Sequence, residues 1–251
     1  MIKIIQSEFP EKVSWTEFKN LVDFPLTILV AVSEPKEYYH WKKIIGNKFI
    51  KVGAWPILDK KEGYWFSGYC SKETIDKLDK FNSIRPLKID LEFPIPEGKY
   101  SNFKLIWHAF KLLFKKPENY QYLIEKIKNL NQKNLIINEF PFPNFIKKRL
   151  GIYYPYKTFK NYMFYTTYAG IIFRWPIILS NLLAEFFHKP DSIALGLIGS
   201  GIFTNEREYK TQKQFKSDIK IFKPKNVILY SVETIMKRKN PEEWIKVIKK
   251  I

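Results

Sequence analysis

Lys88, Asp90 and Glu92 are the densest concentration of chemistry in this sequence. They alternate with Leu87, Ile89, Leu91 and Phe93, the period-two pattern of a strand with one apolar and one ionisable face. An unpaired buried charge is costly or loses its charge, so such a face implies paired groups or a wet cavity. Further carboxylates follow other expected strands, Glu139 in Asn138-Glu139 and Glu233 just after Tyr230. Two carboxyl groups in unlike surroundings divide acid from base: an apolar setting keeps one protonated and a nearby cation keeps the other ionised. Glu139, on the more apolar strand, is therefore the expected acid, and Asp90, beside Lys88, the expected ionised partner. Glu92 and Glu233 complete the expected catalytic set. Trp55, Tyr64, Trp65, Asn138, Tyr168 and Tyr230 lie near the same ends and form the expected binding rim. Aromatic faces stack on the C–H faces of sugar rings, and polar groups take up their hydroxyls. Each residue also has a structural alternative. Asp90 and Glu92 suit helix caps or pairing with Lys88, Glu233 a solvated loop start, and Trp55 and Trp65 packing.

Bringing these residues together requires strands that end on one side. Strand patterns occur at 26–32, 48–54, 86–92, 134–139, 161–167, 192–198 and 226–231, with Ile2 to Gln6 as a short first strand. Helical patterns fill the gaps. Ser14 and Glu17 have capping-box spacing, residues 99–131 are helical with a break near Pro117, and Pro241 opens a closing helix. The alternation predicts an α/β fold, a (β/α)8 TIM-barrel-like domain with seven or eight parallel strands over residues 1–251. In it Leu87, Ile89 and Leu91 should face the helices, and Lys88, Asp90 and Glu92 the interior. The apolar run from Tyr168 to Phe187 contains Arg174, Asn181 and Glu185. A charge at a bilayer centre costs about 2.5–3.5 kcal/mol, so a buried or interfacial helix is favoured over a membrane span, and a core helix is expected here.

Asn138-Glu139 at a strand end resembles the Asn-Glu pair on the fourth strand of the large retaining glycosidase barrel clan, where the Glu is the acid/base. Asp90-Leu91-Glu92 is similar to the acidic strand end of chitinase-like barrels. The resemblance implies a barrel hydrolase acting on glycans. Two departures stand beside it: counting Ile2 to Gln6 as the first strand puts Glu139 on the fifth, and the full Asp-x-x-Asp-x-Asp-x-Glu pattern is absent.

Lys and Arg number 43 against 25 Asp and Glu, a net charge of +18, but only five of the 43 are Arg and the lysines are spread along the chain. Nucleic-acid readers lean on the bidentate fork of Arg, so no specific nucleic-acid partner is expected. A membrane surface is not favoured, and a carbohydrate or other small polar substrate is the expected partner. Cys70 is the only cysteine and the three histidines (40, 108, 188) are scattered, so neither a disulfide nor a metal site is expected, and no cofactor. The N-terminal apolar stretch is short and soon meets Glu8 and Glu11, which suits a cytoplasmic protein. Two alternatives to glycan hydrolysis stay open. One is an isomerase or aldolase for phosphorylated metabolites, using the Gly199-Ser200-Gly201 loop for phosphate and Lys88 as a Schiff-base amine. The other is a non-catalytic module binding glycans or a membrane surface.

Overall fold

The computed structural model describes residues 2–95, 102–130, 133–167, 171–195 and 208–251, with 102–106 and 171–174 described as backbone. Eight strands close into an all-parallel barrel in chain order, the last pairing with the first. They are β1 (Lys3–Ser7), β2 (Leu26–Val32), β3 (Ile50–Pro56), β4 (Leu87–Asp90), β5 (Leu135–Glu139), β6 (Phe159–Phe164), β7 (Ser192–Leu195) and β8 (Val227–Tyr230). Around them run α1 (Trp15–Leu21), α2 (Pro35–Ile45), α3 (Lys72–Asp76), α4 (Asn102–Leu113) and α5 (Tyr120–Asn129). The outer layer continues with α6 (Asn144–Arg149), α7 (Ile171–His188), α8 (Gln212–Phe222), α9 (Val232–Met236) and α10 (Pro241–Lys250). This is the expected (β/α)8 architecture.

Alternation along each strand divides the core in two. Ile28, Val30, Leu87, Ile89, Leu135 and Ile137 pack outward among helix residues such as Leu78, Leu123 and Ile127. Ile4, Leu29, Trp55, Ile136, Ala194 and Ile228 fill the barrel interior. Lys88 and Asp90 point inward, as the alternation predicts, because a strand cannot turn one residue to the other face without a bulge.

Some boundaries differ from expectation. β3 continues to Pro56, held by pairing of Ala31 with Trp55 and Val32 with Pro56. β4 stops at Asp90, where Leu91 bridges instead to Phe66 in the loop after β3. β6 begins at Phe159 and ends at Phe164, where a tight turn forms with the Thr166 N–H donating to the Phe164 carbonyl at 2.7 Å. At Gly53 an added Cβ would lie 2.6 Å from the Pro86 carbonyl oxygen and 2.8 Å from Leu29 Cδ2. Only glycine allows β3 to approach the start of β4 this closely.

The larger correction concerns α7, expected to be a core helix. It buries Ile178, Asn181 and Ala184 on one side but leaves Trp175, Leu179, Leu183, Phe186 and Phe187 exposed on the other. Both faces are apolar and only one has a neighbouring layer to cover it. Hydrophobic content alone therefore overstates this helix's burial.

Candidate active site at the barrel mouth

The ends of β1, β3, β4, β5 and β8 converge on one cluster. Lys88 and Asp90 are both buried and form an ion pair, with Lys88 Nζ 2.5 Å from Asp90 Oδ1. The same ammonium sits 4.1 Å above the Trp55 ring, a cation–π contact shielded from water. Burial lowers the Lys88 pKa, opposed first by Asp90 and more weakly by Glu92 and Glu8. Burial likewise raises the Asp90 carboxyl, opposed by Lys88 and, beyond it, by Asn138 and Trp55. Both shifts run toward the neutral pair, so one proton can rest on either partner across this short contact.

Asn138 stands beside Asp90 in the β4–β5 register, and its Oδ1 accepts from the Asn161 side-chain amide. Asn161 Oδ1 in turn accepts from Ser192 Oγ at 2.8 Å. A polar girdle thus crosses β4 to β7 inside the barrel, leaving the Asn138 amide group to face Asp90.

Glu8, just beyond β1, is the second carboxylate at the mouth. Tyr64 donates its hydroxyl to Oε1 at 2.6 Å, and Tyr230 donates to Oε2. Two phenolic donors match the acceptor-only ionised carboxylate. Burial, with Glu8 adding to it, holds the Tyr64 phenol far above its ordinary pKa, so it remains a donor. Tyr64 reaches the mouth because Gly63 and Tyr64 both take left-handed backbone, at φ 103° and 67°. Its loop is fastened to β4, with the Phe66 N–H donating to the Asp90 carbonyl and the Glu92 N–H to the Phe66 carbonyl, both at 3.3 Å. Tyr230 meets Trp55 edge to face, ring centroids 6.4 Å apart, and Trp65 meets Tyr64 similarly at 5.2 Å. From Glu8 and Ala31 a groove of about 560 Å³ opens outward along Lys36, His40 and Trp41 of α2.

The expected site residues fall into three groups. Asp90, Trp55, Tyr64, Asn138 and Tyr230 come together, with Glu92 half-buried at the rim and Trp65 packed behind Tyr64. Glu139 does not join them. As the fifth residue of β5 it faces outward, where its Oε2 accepts from Lys147 Nζ at 2.5 Å and its Oε1 from the Tyr154 N–H at 2.9 Å. Parity explains this: Asn138 and Glu139 are adjacent on a strand, so only one can enter the barrel. Glu233 also lies outside, in the first turn of α9, where Oε1 accepts from Ser7 Oγ at 2.6 Å and the Phe9 N–H at 2.8 Å. It grips the residues on either side of Glu8. Tyr168 and the Gly199-Ser200-Gly201 loop lie outside the described residues. Glu8 itself was missed, yet its signal is present, since Ile4, Gln6 and Glu8 continue one inward-facing alternation past the strand end.

Among the described residues no cluster of three or more His, Cys, Asp or Glu could hold a metal ion. The fold and mouth define a parallel (β/α)8 barrel with carboxylates and aromatics gathered at the C-terminal strand ends, where such barrels carry their sites. No protein-family model matches the sequence, and no curated protein matches it. Among solved structures, the chain is similar to the glycoside hydrolase domain of PgaB (BpsB) from Bordetella bronchiseptica. The identity is 12% and the TM-score 0.58, with 99% of each chain covered. That likeness is one of fold and extends through the whole barrel.

Proposed function

We propose that this barrel cleaves a carbohydrate, with Asp90 as proton donor and Glu8 as the second carboxylate. The observation that carries this is the meeting of Asp90, Glu8 and Glu92 with Trp55, Tyr64 and Tyr230 at one barrel mouth. Asp90 has the surroundings of an acid, because burial favours its protonated form and Lys88 can return the proton after transfer. Glu8, held by two phenols, suits the ionised role facing the developing positive charge of an oxocarbenium-like centre. The groove beside Glu8 gives a substrate room to extend, and Trp41 offers a flat surface within it. Assaying Asp90→Asn and Glu8→Gln against a broad glycan panel tests the assignment. Each should lose roughly 10²–10⁴-fold in turnover while still unfolding in one cooperative transition, at a lowered midpoint for Asp90→Asn because Lys88 stays buried without its ion-pair partner. A wild type that neither cleaves nor binds any glycan would overturn it.

One observation favours a second reading. Lys88 is completely buried with a lowered pKa, which favours the neutral amine needed for Schiff-base chemistry on a carbonyl substrate. Borohydride trapping that adds the mass of a carbonyl compound to Lys88, and is lost in Lys88→Met, would select it over hydrolysis.

A further inference from the structure

Exposed large apolar side chains are gathered on one sector of the barrel. Among the described residues thirteen are exposed, and eleven of these lie between Trp107 and Phe187, all but Tyr156 on or directly beside α4, α6 and α7. These elements follow β4, β5 and β6, which are neighbours in the barrel, and α4 touches α6. On α7, Trp175, Leu179, Leu183, Phe186 and Phe187 recur at helical spacing, within roughly 120° of the helix circumference. Trp175, Phe186 and Phe187 are 69%, 73% and 73% exposed, values unusual for such side chains on a monomer's surface. On α4 and the turn that ends it, Trp107 stacks on Phe110 and Phe110 meets Phe114 edge to face, a second aromatic ridge standing in solvent.

Charge identifies the occupant. Between residues 102 and 189 there are 14 Lys and Arg against 4 Asp and Glu, a balance of +10 within the chain's +18. Lys111, Lys115, Lys116 and Lys148 are exposed on or beside the same helices, and Lys111 Nζ lies 5.7 Å from the Trp107 ring centre. A second copy of this chain would bring like charge against like charge, and an acidic partner protein would have to carry two apolar grooves matched to ridges on separate helices. An anionic lipid surface supplies both, with headgroups for the lysines and an acyl boundary for Trp and Phe. No described helix is long and apolar enough to cross a membrane, so the contact is with one leaflet.

We infer that the α4–α6–α7 sector docks this barrel on an anionic membrane surface, with α7 lying in the interface. This goes beyond the carbohydrate reading and is tested without any activity. Wild-type protein should co-sediment with vesicles of phosphatidylglycerol in phosphatidylcholine. It should bind pure phosphatidylcholine at least about tenfold more weakly, and lose most anionic binding in about 1 M salt, where screening shortens to about 3 Å. The triple variant Trp175→Ser, Phe186→Ser, Phe187→Ser should weaken anionic-vesicle binding by roughly tenfold or more with its melting temperature preserved, since the side chains removed are exposed. Should that variant fail to fold, Lys111→Glu with Lys115→Glu and Lys116→Glu leaves the apolar stripe intact and should weaken binding similarly. No vesicle binding by the wild type, or binding indifferent to either variant, overturns the inference. So does a dimer by light scattering that the serine variant converts to monomer, for then a second copy covers this face.

Discussion

Replacing Glu139 by Gln separates a structural acid from a catalytic one. Glu139 and Lys147 are both fully buried, 2.5 Å apart, and the carboxylate also accepts from the Tyr154 N–H and lies 3.5 Å from Lys160 Nζ. It fastens β5 to α6 and to the segment before β6. A Gln at this position keeps an acceptor for Tyr154 but turns its amide donors toward the Lys147 ammonium, leaving that charge with the Tyr162 hydroxyl at 3.1 Å and the Tyr153 ring. Breaking a buried pair while leaving one charge behind costs about 3–5 kcal/mol. For a chain of this size that lowers the melting temperature by roughly 6–20 °C. Burial already lowers the Lys147 pKa against the pull of Glu139, and the substitution removes that pull. The unfolded state then binds more protons than the folded one between the lowered Lys147 value and the free-lysine value near 10.4. The variant's deficit should therefore shrink as pH rises through that interval. Adding Lys147→Met should restore most of the loss, because an apolar pair can replace a buried ion pair at little cost. Urea unfolding across pH, with glycan turnover measured on the same samples, checks this. A Glu139→Gln protein as stable as wild type within about 0.5 kcal/mol yet inactive would refute the structural reading and return Glu139 to the role of acid.

Three further outcomes follow from the same geometry. Glu233→Gln should keep most activity, since one carbonyl oxygen can still accept from Ser7 and Phe9, whereas Glu233→Ala should lower kcat by releasing the residues that flank Glu8. Equal loss in both would make Glu233 a proton-transfer group instead. Lys88→Met removes the main influence opposing burial at Asp90, so the alkaline limb of the pH–rate profile should move to higher pH; an unmoved limb would exclude Asp90 as the acid. Gly53→Ala should destabilise by about 1–3 kcal/mol in urea, because its Cβ meets the Pro86 carbonyl oxygen and Leu29 at once; a silent substitution would show that β3 and β4 can separate freely.

The barrel was legible in the sequence because its strands and helices carry opposite periodicities, and eight repeats of that contrast admit few topologies. The half of the site on β4 was legible for the same reason: alternation alone sends Lys88 and Asp90 to the side opposite Leu87 and Ile89. The other half was hidden by two features that strand patterning does not contain. At β5 the parity of the strand decides: Asn138 inside forces Glu139 out, and the partner that explains its acidity there, Lys147, lies eight residues away on a short helix. Glu8 was hidden by position, since it stands one residue past β1 and acquires its role only when Tyr64 and Tyr230, 56 and 222 residues distant, close on it. Hydropathy failed differently at α7. An apolar helix in a barrel can turn one face to the strands and leave the other without a neighbouring layer, and composition is the same in either case. The lengths of successive helices differ sharply here: α6 spans six residues and α7 eighteen, so α6 is too short to run the length of α7.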